Sequence, residues 1–146
     1  MTVALNGQEL SKGIAEKFSG SVVSSDETTI IVNSKELYRV AEYLKNTPGL
    51  DFDYLANLTA VDYMDYFEVV YHLMSLQHNH GLILKTRCYT RDNPSVPSVH
   101  SLWRAADYQE REIFDLMGIT FEGHPNMKRL FLWENFPGHP LRRDYL

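Results

Sequence analysis

The 146-residue chain contains one cysteine, Cys88. A single thiol excludes an internal disulfide and any zinc ribbon, which needs several thiolates. No run approaches the roughly 18 apolar residues that a membrane-spanning helix requires. The opening Met1–Gly7 stretch lacks the charged-then-apolar order of a secretory signal, so a reducing, cytoplasmic compartment is expected. There is no G-x-G-x-x-G, no P-loop and no G-x-S-x-G, which removes the commonest nucleotide and hydrolase signatures. Positive charge is scarce as well. The net charge of −5 argues against a phosphate-backbone binder, and no nucleic-acid partner is expected. Between Lys45 and Lys85 there is no Lys or Arg, only Asp51, Asp53, Asp62, Asp65 and Glu68.

What is present is an ordinary globular balance, 44% apolar and 23% charged, in a length that suits one core. Leu10, Ile14 and Phe18 recur at helical spacing and predict a first helix ending near Gly20. Val22-Val23 and Thr28 to Val32 flank a polar turn and predict a hairpin. Leu37, Val40, Ala41 and Leu44 predict a second helix with Ser34 as its cap, closed by Asn46 to Gly49. Phe52 to Tyr63 fits either a short helix or an extended segment. Phe67 to Leu76 reads as a strand, and His78 to Gly81 as a turn. Leu82, Leu84, Thr86 and Cys88 alternate with Ile83, Lys85, Arg87 and Tyr89, one face dry and one wet. A last helix is expected from about Ser101 to Met117, stopped by Gly118. Helices and strands arrive in blocks, which predicts an α+β fold: a mixed or antiparallel sheet with helices packed on one side, followed by an extended, irregular C-terminal arm. The division expected is a body over 1–120 and an arm over 121–146.

Candidate chemistry is sparse. Cys88 falls on the buried face of its strand, where a small apolar residue is wanted. His78 and His80 sit on a turn tip and make a poor metal pair without a third ligand. Two stretches stand out instead. In Glu110-Arg111-Glu112-Ile113-Phe114-Asp115, helical spacing puts Arg111 between Asp107 and Asp115 on one stripe, beside bulky apolar neighbours. The segment from Phe121 to Leu146 has no regular period and is broken by Pro125, Pro137 and Pro140. It still carries Phe121, Leu130, Phe131, Leu132, Trp133, Phe136, Leu141 and Tyr145. Burying one such side chain contributes about 1.5–3 kcal/mol, so the arm is expected to dock, on its own body or on another chain. Gly123-His124-Pro125 and Gly138-His139-Pro140 read as corners that pin an extended arm, with metal ligation by His124 and His139 the rival use. Arg142 and Arg143 suit bidentate pairing with a partner's carboxylates. A basic-aromatic tail can also stack on bases, which the acidic body disfavours.

Glu-Arg-Glu-x-x-Asp-x-x-Gly-Ile-x-Phe-x-Gly-His-Pro over 110–125, Arg129-Leu130, and Gly-His-Pro-Leu-Arg-Arg-Asp-Tyr over 138–145 closely resemble the 30-kDa subunit family of respiratory NADH:quinone oxidoreductase, complex I. Ser98-Val99 and Leu102-Trp103 to Tyr108 resemble that family's approach to the motif. The likeness is specific over about 98–146, and residues 1–97 are compatible in length and strand order. It implies a peripheral-arm subunit that binds no cofactor itself, with FMN, iron–sulfur clusters and quinone held by other subunits. The implied partner is the 49-kDa-type subunit together with other peripheral-arm subunits, on the cytoplasmic side of the membrane and in touch with the membrane only through the complex. The resemblance assigns contact roles to Glu110, Arg111, Glu112, Asp115, Gly123, His124, Pro125, Gly138, His139, Pro140, Leu141, Arg142, Arg143, Asp144 and Tyr145, and Trp133 and Phe136 are expected to anchor in apolar pockets. Related subunits serve membrane-bound hydrogenases and deazaflavin-dependent dehydrogenases, which is the second expectation. A free-standing metal-binding or hydrolytic domain using His124 and His139 is the third.

Overall fold

The computed structural model describes residues 3–145; the first two residues of the opening stretch and Leu146 at the end of the arm lie outside them. Its frame is a mixed sheet in the order β2–β3–β6–β5–β4, with a short β1 on the same edge of β6 as β3. The strands are β1 (Val3–Ala4), β2 (Val22–Ser25), β3 (Thr29–Val32), β4 (Tyr54–Asp62), β5 (Phe67–Ser75) and β6 (His80–Cys88). β1 and β3 run parallel to β6, whereas β2–β3, β4–β5 and β5–β6 are antiparallel. Register explains which residues are dry: Leu58, Tyr71, Leu84 and Ile30 lie side by side across four strands, and all are buried. The neighbouring row, Thr59, Val70, Lys85 and Ile31, turns to the opposite face.

Helices α1 (Gly7–Lys17), α2 (Leu37–Asn46) and α3 (Ala106–Met117) bury Ile14, then Leu37, Val40, Ala41 and Leu44, then Ile113 and Met117 in the same core. The Asn6 carboxamide caps α1 by accepting from the Gln8 and Glu9 amides. A second, small sheet joins β7 (Ser95–Pro97) to β8 (Thr120–Glu122) in parallel.

The expected fold class holds, with local departures. The cap before α2 is Asn33, whose side chain accepts the Lys35 amide at the head of a 3-10 turn over Ser34–Glu36; Ser34 is the first residue of that turn. The ambiguous 52–63 segment is strand β4, zipped along β5 around a bulge between Leu55 and Asn57. His80 is not on an exposed tip: it opens β6, is 7% exposed, and its Nε2 bonds the Leu50 carbonyl. The third helix starts at Ala106 rather than Ser101, because 101–105 form turns that bury Leu102 and Trp103. The Trp103 indole donates to the Phe52 carbonyl at 2.9 Å. Gly118 does close the helix in the left-handed region, at φ 77°. Strand β8 extends the body to Glu122, past the boundary expected at 120, and Phe121 is 1% exposed inside it. The irregular arm begins at Gly123.

Candidate functional site: an arm fastened by its backbone

The arm lies along α3, and one carboxylate holds its centre. Asp115 is fully buried, and its Oδ2 accepts three successive amides, Leu130 at 3.1 Å, Phe131 at 2.7 Å and Leu132 at 3.0 Å. Its Oδ1 lies 3.5 Å from Arg129 Nε. A buried carboxylate needs this many donors to offset its lost hydration. Arg129 then reaches forward, donating to the carbonyls of Phe136 at 2.9 Å and Gly138 at 3.0 Å. His139 donates from Nδ1 to the Asp115 carbonyl at 3.0 Å. Side chain and main chain of one helical residue thus fix both limbs of the arm.

The second limb continues the same logic. The Leu141 amide donates to the Leu116 carbonyl, and Arg142 Nε donates to that of Met117 at 2.6 Å. These are carbonyls at the end of α3, which lack partners within the helix. Arg142 Nη1 also donates to the Arg91 carbonyl. Gly118 is required twice over: its φ is positive, and a Cβ there would stand 2.6 Å from His139 and 2.7 Å from Arg142. Gly138, at φ 83°, lets the Tyr145 ring approach to 2.8 Å of where a Cβ would be. The arm's end is tied to the sheet through Asp62, which is 5% exposed. Asp62 accepts both terminal nitrogens of Arg91, at 2.8 and 2.9 Å, and the backbone N–H of Arg143. The Arg91 guanidinium holds the Asp62 carboxyl well below the usual carboxylate range against the opposing effect of burial. Arg91 Nη2 also pairs with Asp144 at 3.1 Å.

This geometry gives several of the assigned residues contacts within their own chain. Glu110 faces inward and is fully buried, accepting Ser98 Oγ at 2.6 Å and the Val99 amide at 2.9 Å. Burial pushes its carboxyl up to about 7, the two hydrogen bonds oppose that shift, and the Asp107 charge adds to it. Asp115 likewise serves its own chain and presents nothing outward. Arg142 donates from Nε and Nη1 to carbonyls of its own body. The Asp107–Arg111–Asp115 ladder does not form. Arg111 donates to the carbonyls of Lys128 and Arg129 instead, while His124 Nε2 donates to the Asp107 carbonyl at 3.3 Å and lies 3.0 Å from its Oδ1. His124 Nδ1 accepts the Asn126 amide, so this histidine is a turn corner with both nitrogens used. Among the described residues, no three His, Cys, Asp or Glu side chains converge as a metal group.

The remaining assigned residues face solvent in whole or in part. Glu112, Gly123, Pro125, Gly138, Leu141, Arg143, Asp144 and Tyr145 are exposed, and Phe136, His139 and Pro140 are half-buried. The large side chains of the arm divide in two. Phe136 packs edge-on against Trp133 at 4.7 Å, yet Trp133 remains 67% exposed, Phe131 65% and Leu141 59%. The chain's other tryptophan, Trp103, is 4% exposed in the core. Polar groups therefore fasten the arm to the body, and these three apolar groups point away from it. Asp62, Arg91, Gly118 and Arg129 take part in the fastening, although sequence reasoning does not single them out as site residues. Arg129 and Gly118 stand in the family-like stretches, whereas nothing local marks Asp62 or Arg91.

Cys88 is buried as expected; burial pushes its thiol up, and Sγ contacts the Ser95 carbonyl at 3.4 Å. Among the described residues no helix is long and apolar enough to cross a membrane.

Known proteins resemble the chain along most of its length. A family model described as the 30 Kd subunit of respiratory-chain NADH dehydrogenase matches residues 30–146. The chain is 41% identical over 138 residues to an NADH-quinone oxidoreductase subunit from Roseiflexus castenholzii, covering 92% of this chain and 79% of that one. It is 39% identical over 140 residues to the same subunit from Roseiflexus sp. strain RS-1, covering 94% and 80%. Among solved structures, a chain of the membrane-bound sulfane sulfur reductase, an archaeal respiratory membrane complex, superimposes with a TM-score of 0.74 at 26% identity, over 94% of this chain and 84% of that one. The chain belongs to the 30-kDa subunit family of the respiratory-chain NADH dehydrogenase.

Proposed function

We propose that the chain is a non-redox, peripheral-arm subunit of a proton-translocating NADH:quinone oxidoreductase, and that its C-terminal arm packs on the 49-kDa-type subunit to scaffold the quinone-reducing region. In this reading FMN, iron–sulfur clusters and quinone belong to other subunits, and the chain sits on the cytoplasmic side, touching the membrane only through the complex. One observation carries it: Asp115 and Arg129 fix the backbone of the arm, while Phe131, Trp133 and Leu141 stay more than half exposed. Leaving such side chains wet is unfavourable by about 1.5–3 kcal/mol each. A rigid backbone that presents them lowers the ordering cost of association, which is how interface anchors gain affinity.

The experiment is complementation of a strain lacking the subunit with a Phe131→Ala/Trp133→Ala chain. Membranes are then assayed for NADH:quinone activity, and affinity-purified complex is examined for the 49-kDa-type subunit. The expected result is a folded chain that no longer retains that subunit, with loss of activity. Retention of the 49-kDa-type subunit at the wild-type level contradicts the reading.

The sulfane sulfur reductase likeness favours a second reading, an equivalent scaffold in a respiratory complex with a different electron donor. NADH oxidation and flavin in the purified complex distinguish the first reading from this one.

A further inference from the structure

The turn between β4 and β5 carries a strained residue. Met64 has φ 70°, in the left-handed region that residues other than glycine disfavour, and both it and Tyr63 are 45% exposed. Its backbone is held by two hydrogen bonds, and both run to one ion pair. The Met64 amide donates to Asp62 Oδ1 at 2.8 Å, and its carbonyl accepts from Arg91 Nη1 at 3.0 Å. The same pair holds the end of the arm. The Arg143 amide donates to Asp62 Oδ2 at 2.9 Å, and Asp144 lies 3.1 Å from Arg91 Nη2. With Arg91 Nη1 on Oδ1 and Nη2 on Oδ2, each oxygen of this buried carboxylate accepts two bonds. A carboxylate offers about four acceptor positions, so Asp62 is saturated. Its Oδ1 serves the turn, its Oδ2 serves the arm, and the Arg91 fork spans both. Phe67, the first residue of β5, packs against two guanidiniums, with Arg91 4.8 Å and the arm's Arg142 5.1 Å from its ring centre.

We infer that Asp62 and Arg91 form a latch that couples the arm's end to the β4–β5 turn, so that the two are held or released together. Withdrawal of residues 143–144 takes a donor from a buried carboxylate and an acceptor from Arg91, which loosens the fork that fixes the Met64 carbonyl. Met64 leaves its left-handed conformation once that hold weakens, since an ordinary side chain does not favour it. Conversely, a relaxed turn no longer aims Arg91 at Asp144. A neighbour that seats on the arm's end therefore selects the state of an exposed turn that it need not touch. The coupling belongs to this chain alone and does not depend on which subunit covers the arm.

The test is residue-resolved amide exchange, read by NMR in the isolated chain, with one end altered and the other end observed. Asp144→Ala, which removes the arm's carboxylate from Arg91, should speed exchange at the Met64 amide about fivefold or more. Met64→Gly, which relieves the left-handed strain, should slow exchange at the Arg143 amide about threefold. Both cross-effects should vanish in an Arg91→Gln chain, or in Arg91→Lys if the glutamine variant does not fold, because neither side chain carries the fork. Met64 exchange untouched by Asp144→Ala overturns the latch. Arg143 exchange untouched by Met64→Gly overturns it too, since coupling of this kind is reciprocal. Cross-effects that persist without the Arg91 guanidinium place the coupling in other contacts and equally overturn it.

Discussion

The carboxylate of Asp115 accepts the backbone N–H of Phe131 at 2.7 Å, while the ring of Phe131, on the same residue, stays 65% exposed. That separation of main chain from side chain defines the arm. Asp115 also takes the amides on either side, so its removal leaves three donors and the Arg129 guanidinium without their shared acceptor. Asp115→Ala is therefore expected to lower the opening free energy of the 130–132 amides by about 2–4 kcal/mol. Hydrogen exchange of the isolated chain measures this directly. Unchanged protection of those amides would show that the carboxylate is not their anchor.

Two glycines provide a matched comparison. Gly118 and Gly20 have nearly the same backbone, φ 77° and 78°, but a Cβ at Gly20 meets nothing within 4 Å, while one at Gly118 meets His139 and Arg142. Gly20→Ala should cost about 1 kcal/mol of backbone strain. Gly118→Ala should exceed it by roughly another 1–2 kcal/mol, because the arm must shift as well. Urea denaturation of both variants gives the difference, and equal losses would mean that the arm does not press on the helix end.

Glu110 sets a pH dependence of definite sign. Its carboxyl rises from an ordinary 4.5 to about 7 in the folded chain because it is buried. Between those values the folded state holds a proton that the unfolded state has released, so this group lowers stability as pH climbs from about 4.5 to about 7. The full penalty, on the order of 3 kcal/mol, persists above that range. Asp62 acts in the opposite sense, since its stabilisation is present above its ordinary 3.8 and is lost as acid protonates it. Glu110→Gln should flatten the fall in unfolding free energy between about pH 4.5 and about pH 7. An unaltered slope would assign that fall to other groups.

Much of the body can be read in the sequence because its signals are local. The alternation in Leu82–Cys88 and the i, i+3, i+4, i+7 spacing of Leu37–Leu44 each place a burial face without reference to anything distant. Apolar Leu102 and Trp103 imitate a helical period and draw Ser101 into the expected helix, while their burial is decided by the Phe52 carbonyl and by Glu110 reaching back to Ser98 and Val99. The Arg111 ladder fails for a related reason. Helical spacing states which side chains are near one another, but three backbone amides of the arm hold Asp115 more effectively than one arginine on the helix surface. Nothing in the sequence says that Asp62 and Arg143 meet, since 81 residues separate them. The surplus of apolar side chains in the arm is legible from composition; that its backbone already has a partner in its own helix is not.

The most direct test is hydroxyl-radical labelling of Trp133, read by mass spectrometry in the isolated chain and in the intact complex, with Trp103 as the buried internal standard. Strong labelling of Trp133 is expected in the free chain and its loss in the complex, with low labelling of Trp103 in both. Equal labelling of Trp133 in the two states would show that the arm is left uncovered by its neighbours, contradicting the central claim.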